Sequence, residues 1–489
     1  MRVFAIKNSR ASQILLIYLL FVALRLINLT EPVVDRHSWN QISALNQAKN
    51  IYLNPETFWA PETDFLDLHN DSRVYIQEFP LYEGLLALVF QVTGVQEWSA
   101  RLISIALAFL GLVYAIKIVE EEYDLDTAIL SGYLISTCSL AWYFDRTIST
   151  DGGMVSFVIM AIYYGRHWIR ERRTADYWRT LICALLAGLF KPFGLIALAI
   201  IGIHLLRQKR YEILKSPAIY FMGIVCFAPV LLWLFLNTHH QRNSMSGDAS
   251  LGLRFDILFS VGYYRTLWAR FFDNILTVST FPFFFYFWFS KRIEKSLLTA
   301  WLLGLLIYLV LISGGNREHS YYQLLFVAPF CFAAAKGLLV WIRSEHIRFF
   351  KHTRFWFVLI MVIATLRGGY YAYNHFKQDR GPYIVGKKIA SMNYPKDYRV
   401  VYFDPSVTQK NQLIYYSGHE GWNIRDLNTS VIDGLKMKGA KIMGVHLIDE
   451  SDNFARLLPE LKNRYSPKWE SMDCVNRYKN RCYMAVIEL

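Results

Sequence analysis

Apolar blocks alternate with short polar segments along most of the chain, from Ile14 to about Tyr373. A helix rises about 1.5 Å per residue, so roughly 20 apolar residues are needed to cross a bilayer. The pattern therefore predicts an α-helical polytopic membrane protein with about eleven transmembrane helices. The predicted spans are 14–29, 102–119, 127–144, 152–168, 178–190, 193–206, 217–236, 274–290, 297–313, 321–342 and 355–373.

Two of the blocks are short and flank Lys191-Pro192. Proline lacks an N–H donor and disfavours helix in the residue before it, so we expect a helix broken at this point. Such a break is tolerated in a membrane only where the backbone is buried in protein or lines a cavity. Another apolar segment, 78–94, carries Glu83 and is bounded by proline and glycine. We predict a helix lying in the outer membrane interface there rather than a span.

The last part of the chain, residues 376–489, which we call the tail, differs from the apolar blocks in having polar turns between short strand-like and helix-like runs. It predicts a small α/β domain at 376–489, following a membrane domain at 1–375 whose first outer loop covers 30–101. The strand-like runs are 400–403, 441–447 and 483–487, and the helix-like runs are 383–392 and 454–463.

Composition agrees with a membrane protein. The 489 residues are 54% hydrophobic and 16% aromatic, with a mean hydropathy of +0.23, which excludes a disordered chain and an ordinary cytosolic enzyme. The net charge of +13 lies mainly in short loops between apolar blocks, so it indicates topology rather than nucleic-acid binding. The basic loops 166–179, 207–215, 291–295 and 343–354 are expected inside, with 30–101, 237–273 and the tail outside.

The six cysteines are too few for a disulfide scaffold. Four lie in apolar blocks, where cysteine is usually a small apolar residue. Cys474 and Cys482 bracket a short segment of the tail and would form a disulfide in an oxidising compartment; the sequence leaves this open. No second cysteine pair or nearby histidine pair completes a metal site.

Ionisable residues collect at the predicted outer rim of the membrane. Each is commonly a solvated loop residue, and Lys191, which has no acidic neighbour in sequence, needs a distant anion or must snorkel to the interface. Together they offer carboxylates suited to a general base and cations suited to a phosphate leaving group. The six places are 35–41, 78–82, Asp145-Arg146 with Asp151, Lys191-Pro192, 263–270 and 316–322.

At these residues the sequence resembles the GT-C superfamily of membrane glycosyltransferases. The resemblance is to the bacterial family 39-like branch, related to protein O-mannosyltransferases and aminoarabinose transferases. Glu83 stands where that pattern usually has proline. The segments that carry the resemblance, in order, are DRHSWNQISALNQAKNIY (35–52), EFPLYEGLLAL (78–88), WSARLISIALAFLGLVYAIKI (98–118), GLFKPFG (188–194) and EHSYYQLLFVAPF (318–330).

The resemblance implies an inverting glycosyltransferase, a hexosyl- or pentosyltransferase that uses a polyprenyl-phosphate sugar. Asp35 would be the catalytic base and Glu78 would bind the acceptor or the sugar. No obligatory metal or other cofactor is implied, although some members of the superfamily use a divalent ion. The remaining candidates are His37, Tyr82 and Asp151 for the acceptor or sugar, and Lys191, Arg317, His319 and Tyr322 for the donor phosphate.

The implied acceptor is a glycan or glycolipid, because a paired Asp-Glu after the first span, a feature of protein mannosyltransferases, is absent. The implied location is a bacterial cytoplasmic membrane, with the active site and the tail on the outer side and the product in the cell envelope. Two other hypotheses remain. One is a transporter or flippase of lipid-linked sugars, a class that usually shows internal repeats. The other is an oligosaccharide polymerase, which is expected to carry a large basic outer loop late in the chain. The sequence identifies neither the sugar nor the acceptor.

Overall fold

The computed structural model describes residues 10–237, 252–291, 293–344, 353–405, 411–448, 452–472 and 482–489. The chain divides into two compact units. We call the first, Met1–Leu29 with Gln77–Tyr82 and Arg101–Asn374, the helical unit. The second, Thr30–Ile76 with Glu83–Ala100 and His375–Leu489, is the mixed unit.

Helices dominate the described chain, and short 3₁₀ or π turns connect several of them. In chain order the α-helices are α1 (Arg10–Arg25), α2 (Ser38–Leu53), α3 (Leu81–Thr93), α4 (Glu97–Glu122), α5 (Leu125–Thr137), α6 (Ser139–Phe144), α7 (Asp151–Glu171), α8 (Thr174–Phe190), α9 (Ile196–Arg207), α10 (Pro217–Leu236), α11 (Phe255–Leu258), α12 (Val261–Arg270), α13 (Phe281–Phe289), α14 (Ser296–Leu311), α15 (Ser313–Glu318), α16 (Val327–Arg343), α17 (Thr353–Phe376), α18 (Gly381–Ser391), α19 (Gln412–Ser417), α20 (Thr429–Met437) and α21 (Asp452–Arg464).

The mostly helical architecture with a small sheet domain confirms the predicted fold class in outline. Among the described residues, four helices are long and apolar enough to cross a membrane. The count of about eleven crossings stays a prediction. These candidate spans are Glu97–Glu122, Pro217–Leu236, Ser320–Arg343 and Arg354–Ser391; the third includes the 3₁₀ turn before α16, and the fourth covers α17 and α18.

Two predicted spans differ from the observed helices. The block 127–144 is interrupted at Cys138, whose backbone is extended between α5 and α6. The block 274–290 contains only the short helix α13, and a π-helical turn, Phe271–Ile275, precedes it. Hydropathy measures how apolar a block is and not where its backbone changes direction, so neither interruption was predicted.

The expected break at Lys191-Pro192 is present. Helix α8 ends at Phe190, Lys191 is extended, and Pro192 begins a 3₁₀ turn, Pro192–Leu195, that leads into α9. Gly194 lies against the end of α8, because a Cβ there would overlap the carbonyl oxygen of Ala187. Glycine therefore allows the turn to fold tightly onto the helix that it follows.

Three buried arginines cover the C-terminal end of α1. Arg25 pairs with Asp145 at 2.7 Å and also donates to the carbonyl of Ser136 at 2.9 Å. Arg101 donates to the carbonyl of Leu29, and Arg146 to that of Asn28, each at 2.7 Å. Asn28 and Leu29 lie in the turn after α1, and Ser136 lies in the last turn of α5, so the guanidinium groups satisfy backbone carbonyls that have no partner within a helix.

The mixed unit contains a five-stranded sheet in the order β2-β1-β3-β5-β4. β1 is parallel to β2 and β3, whereas β5 is antiparallel to β3 and β4. The three predicted strand runs lie in β1, β3 and β5; the short β2 and β4 were not predicted. The strands are β1 (Arg399–Phe403), β2 (Gly421–Ile424), β3 (Ala440–Ile448), β4 (Pro467–Ser471) and β5 (Cys482–Glu488).

The first outer loop of the sequence packs on the β2 edge of this sheet. Phe65 pairs with Gly421 in parallel fashion, Leu66 N–H donates to the carbonyl of Gly421 at 2.7 Å, and Gly421 N–H donates to the carbonyl of Asp64 at 3.0 Å. Leu66 is buried in the same apolar cluster as Trp422. The loop and the tail thus share one core.

Cysteine placement can be compared with the sequence prediction in part. Cys138, Cys183, Cys226 and Cys331 are free and buried, as expected for small apolar side chains. Cys482 is disulfide-bonded, whereas its predicted partner Cys474 lies outside the described residues.

Candidate active site

A buried ionic cluster lies in the helical unit, centred on Lys191. Its Nζ is 2.9 Å from Oδ1 of Asp151 and 3.8 Å from Oε1 of Glu78. The side chains of Lys191 and Asp151 are only 5% and 2% exposed. Asp151 is the first residue of α7, where the helix dipole favours a negative charge. The anion that Lys191 needs therefore comes from two segments distant in sequence.

Two tyrosines pack against the same ammonium group. Lys191 Nζ lies 5.1 Å from the ring centroid of Tyr321 and 5.0 Å from that of Tyr322, within the range of cation–π attraction. The ring of His319 stacks on Tyr321 at 5.1 Å between centroids. Phe193, two residues after Lys191, packs on Tyr322 at 5.3 Å. The helix break and the segment 319–322 thus form one face of the site.

Glu78 has an environment that favours its neutral form. Burial raises its pKa above the ordinary carboxyl value, Lys191 opposes this, and Asp151 adds to it. Three residues further on, at Leu81, α3 begins, and the hydroxyl of Tyr82 is 2.6 Å from Oγ of Ser104. The Tyr82 side chain is fully buried, so this contact fixes the start of the helix that follows Glu78.

The candidate residues at the end of α15 do not all join the cluster. The Arg317 side chain is 51% exposed, and its ion pair among the described residues is with Glu318, at 3.9 Å. Arg270 donates to the carbonyls of Asn316 and Arg317 at 2.7 and 2.9 Å. Burial, with Lys191 and Arg270 nearby, lowers the pKa of His319 to about 4. His319 is therefore neutral near pH 7 and offers a ring N–H rather than a positive charge.

Sequence reasoning underestimated two members of this face. Tyr321 lies in the candidate stretch 316–322 but is not among the residues named for the site, yet it packs on Lys191 and His319. Arg270 lies in the candidate stretch 263–270 without a role of its own, and it donates to two backbone carbonyls of the segment that leads to His319. Tyr321 could have been included because it is adjacent to the candidate Tyr322. Nothing in the sequence indicates that Arg270 contacts Asn316.

Asp35 and His37 belong to the mixed unit. Asp35 is buried, and its Oδ1 accepts a hydrogen bond from Nε2 of Gln41 at 2.8 Å. The chain on either side is held by the tail: Val34 O accepts from the N–H of Asp379 at 2.9 Å, and the N–H of Arg36 donates to the carbonyl of His375 at 3.2 Å.

His37 follows with a φ of 59° and precedes α2. A left-handed conformation is uncommon for a residue other than glycine and usually marks a constrained turn. The Asp35 carboxylate is thus held in a buried, hydrogen-bonded position by neighbours on both sides.

The helical-unit cluster can bind a polar ligand. An ammonium group has three N–H donors, and within hydrogen-bond distance Asp151 takes one of them. The others can reach oxygen atoms of a ligand, such as those of a phosphate. Over the described ranges, no group of three or more His, Cys, Asp and Glu side chains is placed to hold a metal ion; independence from metal stays a prediction.

Residues 78–233 match the family model described as dolichyl-phosphate-mannose-protein mannosyltransferase. This segment contains Glu78, Asp151 and Lys191 but not Asp35. A search of curated proteins finds no significant match.

Three solved structures are similar to this chain over 98%, 88% and 96% of its length. ArnT from Cupriavidus metallidurans bound to undecaprenyl phosphate aligns with a TM-score of 0.62 and 11% identity, over 98% of each chain. The oligosaccharyltransferase of Archaeoglobus fulgidus with zinc and sulfate aligns with a TM-score of 0.56 and 12% identity, over 88% of this chain and 67% of that one. Archaeoglobus fulgidus AglB, in complex with an inhibitory peptide and a dolichol-phosphate, aligns with a TM-score of 0.54 and 12% identity, over 96% and 74%.

Proposed function

We propose that this chain, which has the fold of the GT-C membrane glycosyltransferases, transfers a sugar from a polyprenyl-phosphate donor to a glycan or glycolipid. The reaction would take place at the outer face of the cytoplasmic membrane, in synthesis or modification of a cell-envelope polysaccharide or lipopolysaccharide. The donor class is supported by similar proteins whose structures hold undecaprenyl phosphate and dolichol-phosphate.

The buried cluster of Glu78, Asp151 and Lys191 is the observation that carries this proposal. Ionisable groups inside a largely apolar helical protein are costly, and buried pairs contribute little net stability. Their placement is therefore better explained by a ligand than by folding. All three lie within the segment that matches the mannosyltransferase family model.

The proposed chemistry is an in-line displacement at C1 of the donor sugar. The acceptor hydroxyl oxygen forms a bond to C1, the bond from C1 to the phosphate oxygen breaks with its electron pair leaving on the phosphate, and the configuration at C1 inverts. Asp35 accepts the hydroxyl proton as general base. The products are the glycosylated acceptor and polyprenyl phosphate.

The cluster would stabilise the leaving group and orient the sugar. Lys191 donates to phosphate oxygens and balances the charge that develops on them. Neutral His319 would donate a ring N–H to the phosphate, and Tyr322 lies on the same face of the site. Arg317 is half-exposed and pairs with Glu318, so it would act through its charge. These roles rest on position and chemical type.

Asp151 acts as a positioning residue in this scheme because it holds the Lys191 ammonium at hydrogen-bond distance. Glu78 would accept from a hydroxyl of the sugar or acceptor, with Tyr82 securing the start of α3. His37 lies next to α2 and would line the acceptor side.

The test is donor turnover by the protein purified in detergent. It is incubated with a panel of polyprenyl-phosphate hexoses and pentoses plus a cell-envelope lipid extract, and free polyprenyl phosphate is followed by mass spectrometry. Asp35→Asn should slow acceptor-dependent release by about 100-fold or more, while the amide still accepts the Gln41 hydrogen bond. Glu56→Gln, on an exposed turn of the same unit, is the matched control and should behave as wild type.

Release with wild type and the control but not with Asp35→Asn supports the transferase and identifies the sugar. Equal release by Asp35→Asn would refute the role of the base. No release with any donor, combined with movement of labelled lipid-linked sugar across liposomes, would support a transporter instead.

A further inference from the structure

A cleft of about 690 Å³ lies within the mixed unit, separate from every residue assigned above. Its walls come from Thr30 and Pro32, the segment 95–98, helix α18 with the turn that follows it, and the end of α19 with the residues after it. The volume falls within the range of sites for small molecules. No candidate from the sequence pointed to this cleft.

Two lysines, Lys387 and Lys396, and one carboxylate, Glu97, carry charge among the lining residues apart from the paired Lys49, so the lining is net positive. Among the described residues, neither Lys387 nor Lys396 forms an ion pair. Lys387 Nζ lies 5.7 Å from the ring centroid of Tyr416, and Lys396 Nζ lies 3.6 Å from the position that a Cβ on Gly418 would take. Lys49, which also lines the cleft, is different because Asp64 neutralises it.

Aromatic rings form the rest of the lining. Tyr383 packs edge-on against Tyr416, with 4.7 Å between centroids, and Tyr394 and Trp98 complete the aromatic surface. The Tyr416 hydroxyl accepts from the N–H of Val33 at 2.8 Å and donates to Oε1 of Glu97 at 2.7 Å. Since its hydroxyl is fixed at both sides, this ring is held rigidly before any ligand arrives.

His419 supplies a hydrogen-bond acceptor. Its Nδ1 lies 2.9 Å from the carbonyl oxygen of Tyr398, so Nδ1 carries the proton and Nε2 of the neutral ring is an acceptor. Burial and the nearby Lys396 lower the pKa of His419, which keeps the ring neutral. Rings that can pack on the C–H face of a sugar, an acceptor for hydroxyls and unpaired cations therefore occur together.

We propose that this cleft binds an anionic saccharide, a sugar carrying a carboxylate or phosphate group, with Lys387 and Lys396 on the anionic group and the tyrosines on the sugar ring. Its assignment as part of the acceptor rests on the proposed function. Binding itself does not, because the cleft is complete without the candidate active site.

The test is isothermal titration calorimetry of the full chain in detergent. The anionic probes are trigalacturonic acid, for a carboxylate, and glucose 6-phosphate, for a phosphate; galactotriose and inorganic phosphate are the neutral and sugar-free counterparts. We expect at least one anionic sugar to bind and both counterparts to fail. Lys387→Met/Lys396→Met should weaken binding by about tenfold or more, because hydrogen bonds to charged groups are the stronger ones.

Two further variants separate charge from folding. Lys388→Met, on the same helix but outside the lining, should bind as wild type. Lys387→Arg/Lys396→Arg should retain binding because the charges remain. Equal binding of galactotriose, equal binding of inorganic phosphate, no binding of any probe, or unchanged binding by the double methionine variant would each overturn the proposal.

Donor turnover in the same preparations distinguishes this proposal from the transferase proposal. Polyprenyl phosphate release without binding of an anionic sugar would remove the cleft proposal alone. Binding without release under any condition would retain the cleft and remove its assignment to an acceptor.

Discussion

Lys191 Nζ contacts Asp151 Oδ1 at 2.9 Å, and the two residues are 40 positions apart and almost fully buried. Removing one partner of a buried pair leaves an uncompensated charge, whereas removing both avoids this cost. Comparing the single with the double substitution therefore separates an effect on stability from an effect on activity, which a single substitution cannot do.

We expect Lys191→Met to destabilise the protein by about 3–5 kcal/mol. Lys191→Met/Asp151→Asn should recover most of that loss, because the unpaired carboxylate is gone, and yet remain inactive in donor turnover. Thermal unfolding in detergent and polyprenyl phosphate release measure the two quantities. Lys291→Met, at an exposed lysine, is the control. Recovery of activity along with stability would show that Lys191 has no part in catalysis.

Glu78 should set the acid limb of the pH profile of kcat/KM. Burial raises its pKa, and a carboxylate needed in its ionised form loses function as pH falls through that pKa, so the limb should lie above the usual carboxyl value of about 4.3. Asp151→Asn removes a charge that raises this pKa and should move the limb to lower pH. Glu78→Gln should remove this limb, and an acid limb that remains should lie at lower pH, because the general base must also be ionised. A limb that stays in place in both variants would assign it to another group.

Gly194→Ala should disturb the helix break, because the new Cβ would overlap the carbonyl oxygen of Ala187. Overpacking of this kind costs about 1–3 kcal/mol, and displacement of Lys191 by about 1 Å could reduce turnover by up to about 100-fold. Gly202→Ala in α9 is the control, since its Cβ would meet nothing within 4 Å. Unfolding temperature and donor turnover are measured for both. Identical behaviour of the two variants would contradict a tight turn.

Gly421→Ala should loosen the β2 edge, because its Cβ would overlap the carbonyl oxygen of Val400. The amide of Leu66, which donates to Gly421, should then exchange its hydrogen faster in deuterium exchange measured by mass spectrometry. Gly434→Ala, whose Cβ meets nothing within 4 Å, should leave that exchange unchanged. Unaltered protection of Leu66 in Gly421→Ala would mean that the loop does not depend on this edge.

Local sequence was sufficient for much of the fold. Hydropathy located the helical blocks, the Lys191-Pro192 dipeptide indicated the broken helix, and β-branched runs indicated β1, β3 and β5. The interruption at Cys138 has no proline or glycine to mark it. β4 is short and alternates between half-buried and exposed positions, so its pattern is too brief to be distinctive.

The site was predictable as a set of residue types but not as a set of contacts. The sequence shows that a buried Lys191 requires an anionic partner. It does not show that Asp151 is this partner, because the contact depends on how α7 packs against α8. Tyr321 and Tyr322 are identical in type, and only the packing shows that both face the ammonium group. The cleft beside Tyr416 was not foreseen, because its lining comes from segments whose proximity is a property of the tertiary structure.

The hydrogen bond from Val33 to Tyr416 joins residues 383 positions apart. At a synthesis rate of about 5–20 residues per second, the early loop waits roughly 20 to 80 s for the strands on which it packs. During that time the whole helical unit has to enter the membrane. The mixed unit can therefore fold completely only after nearly the whole chain has been synthesised and the helical unit has entered the membrane. In a chain truncated before β2, the loop that carries Asp35 would lack the strand edge on which it packs.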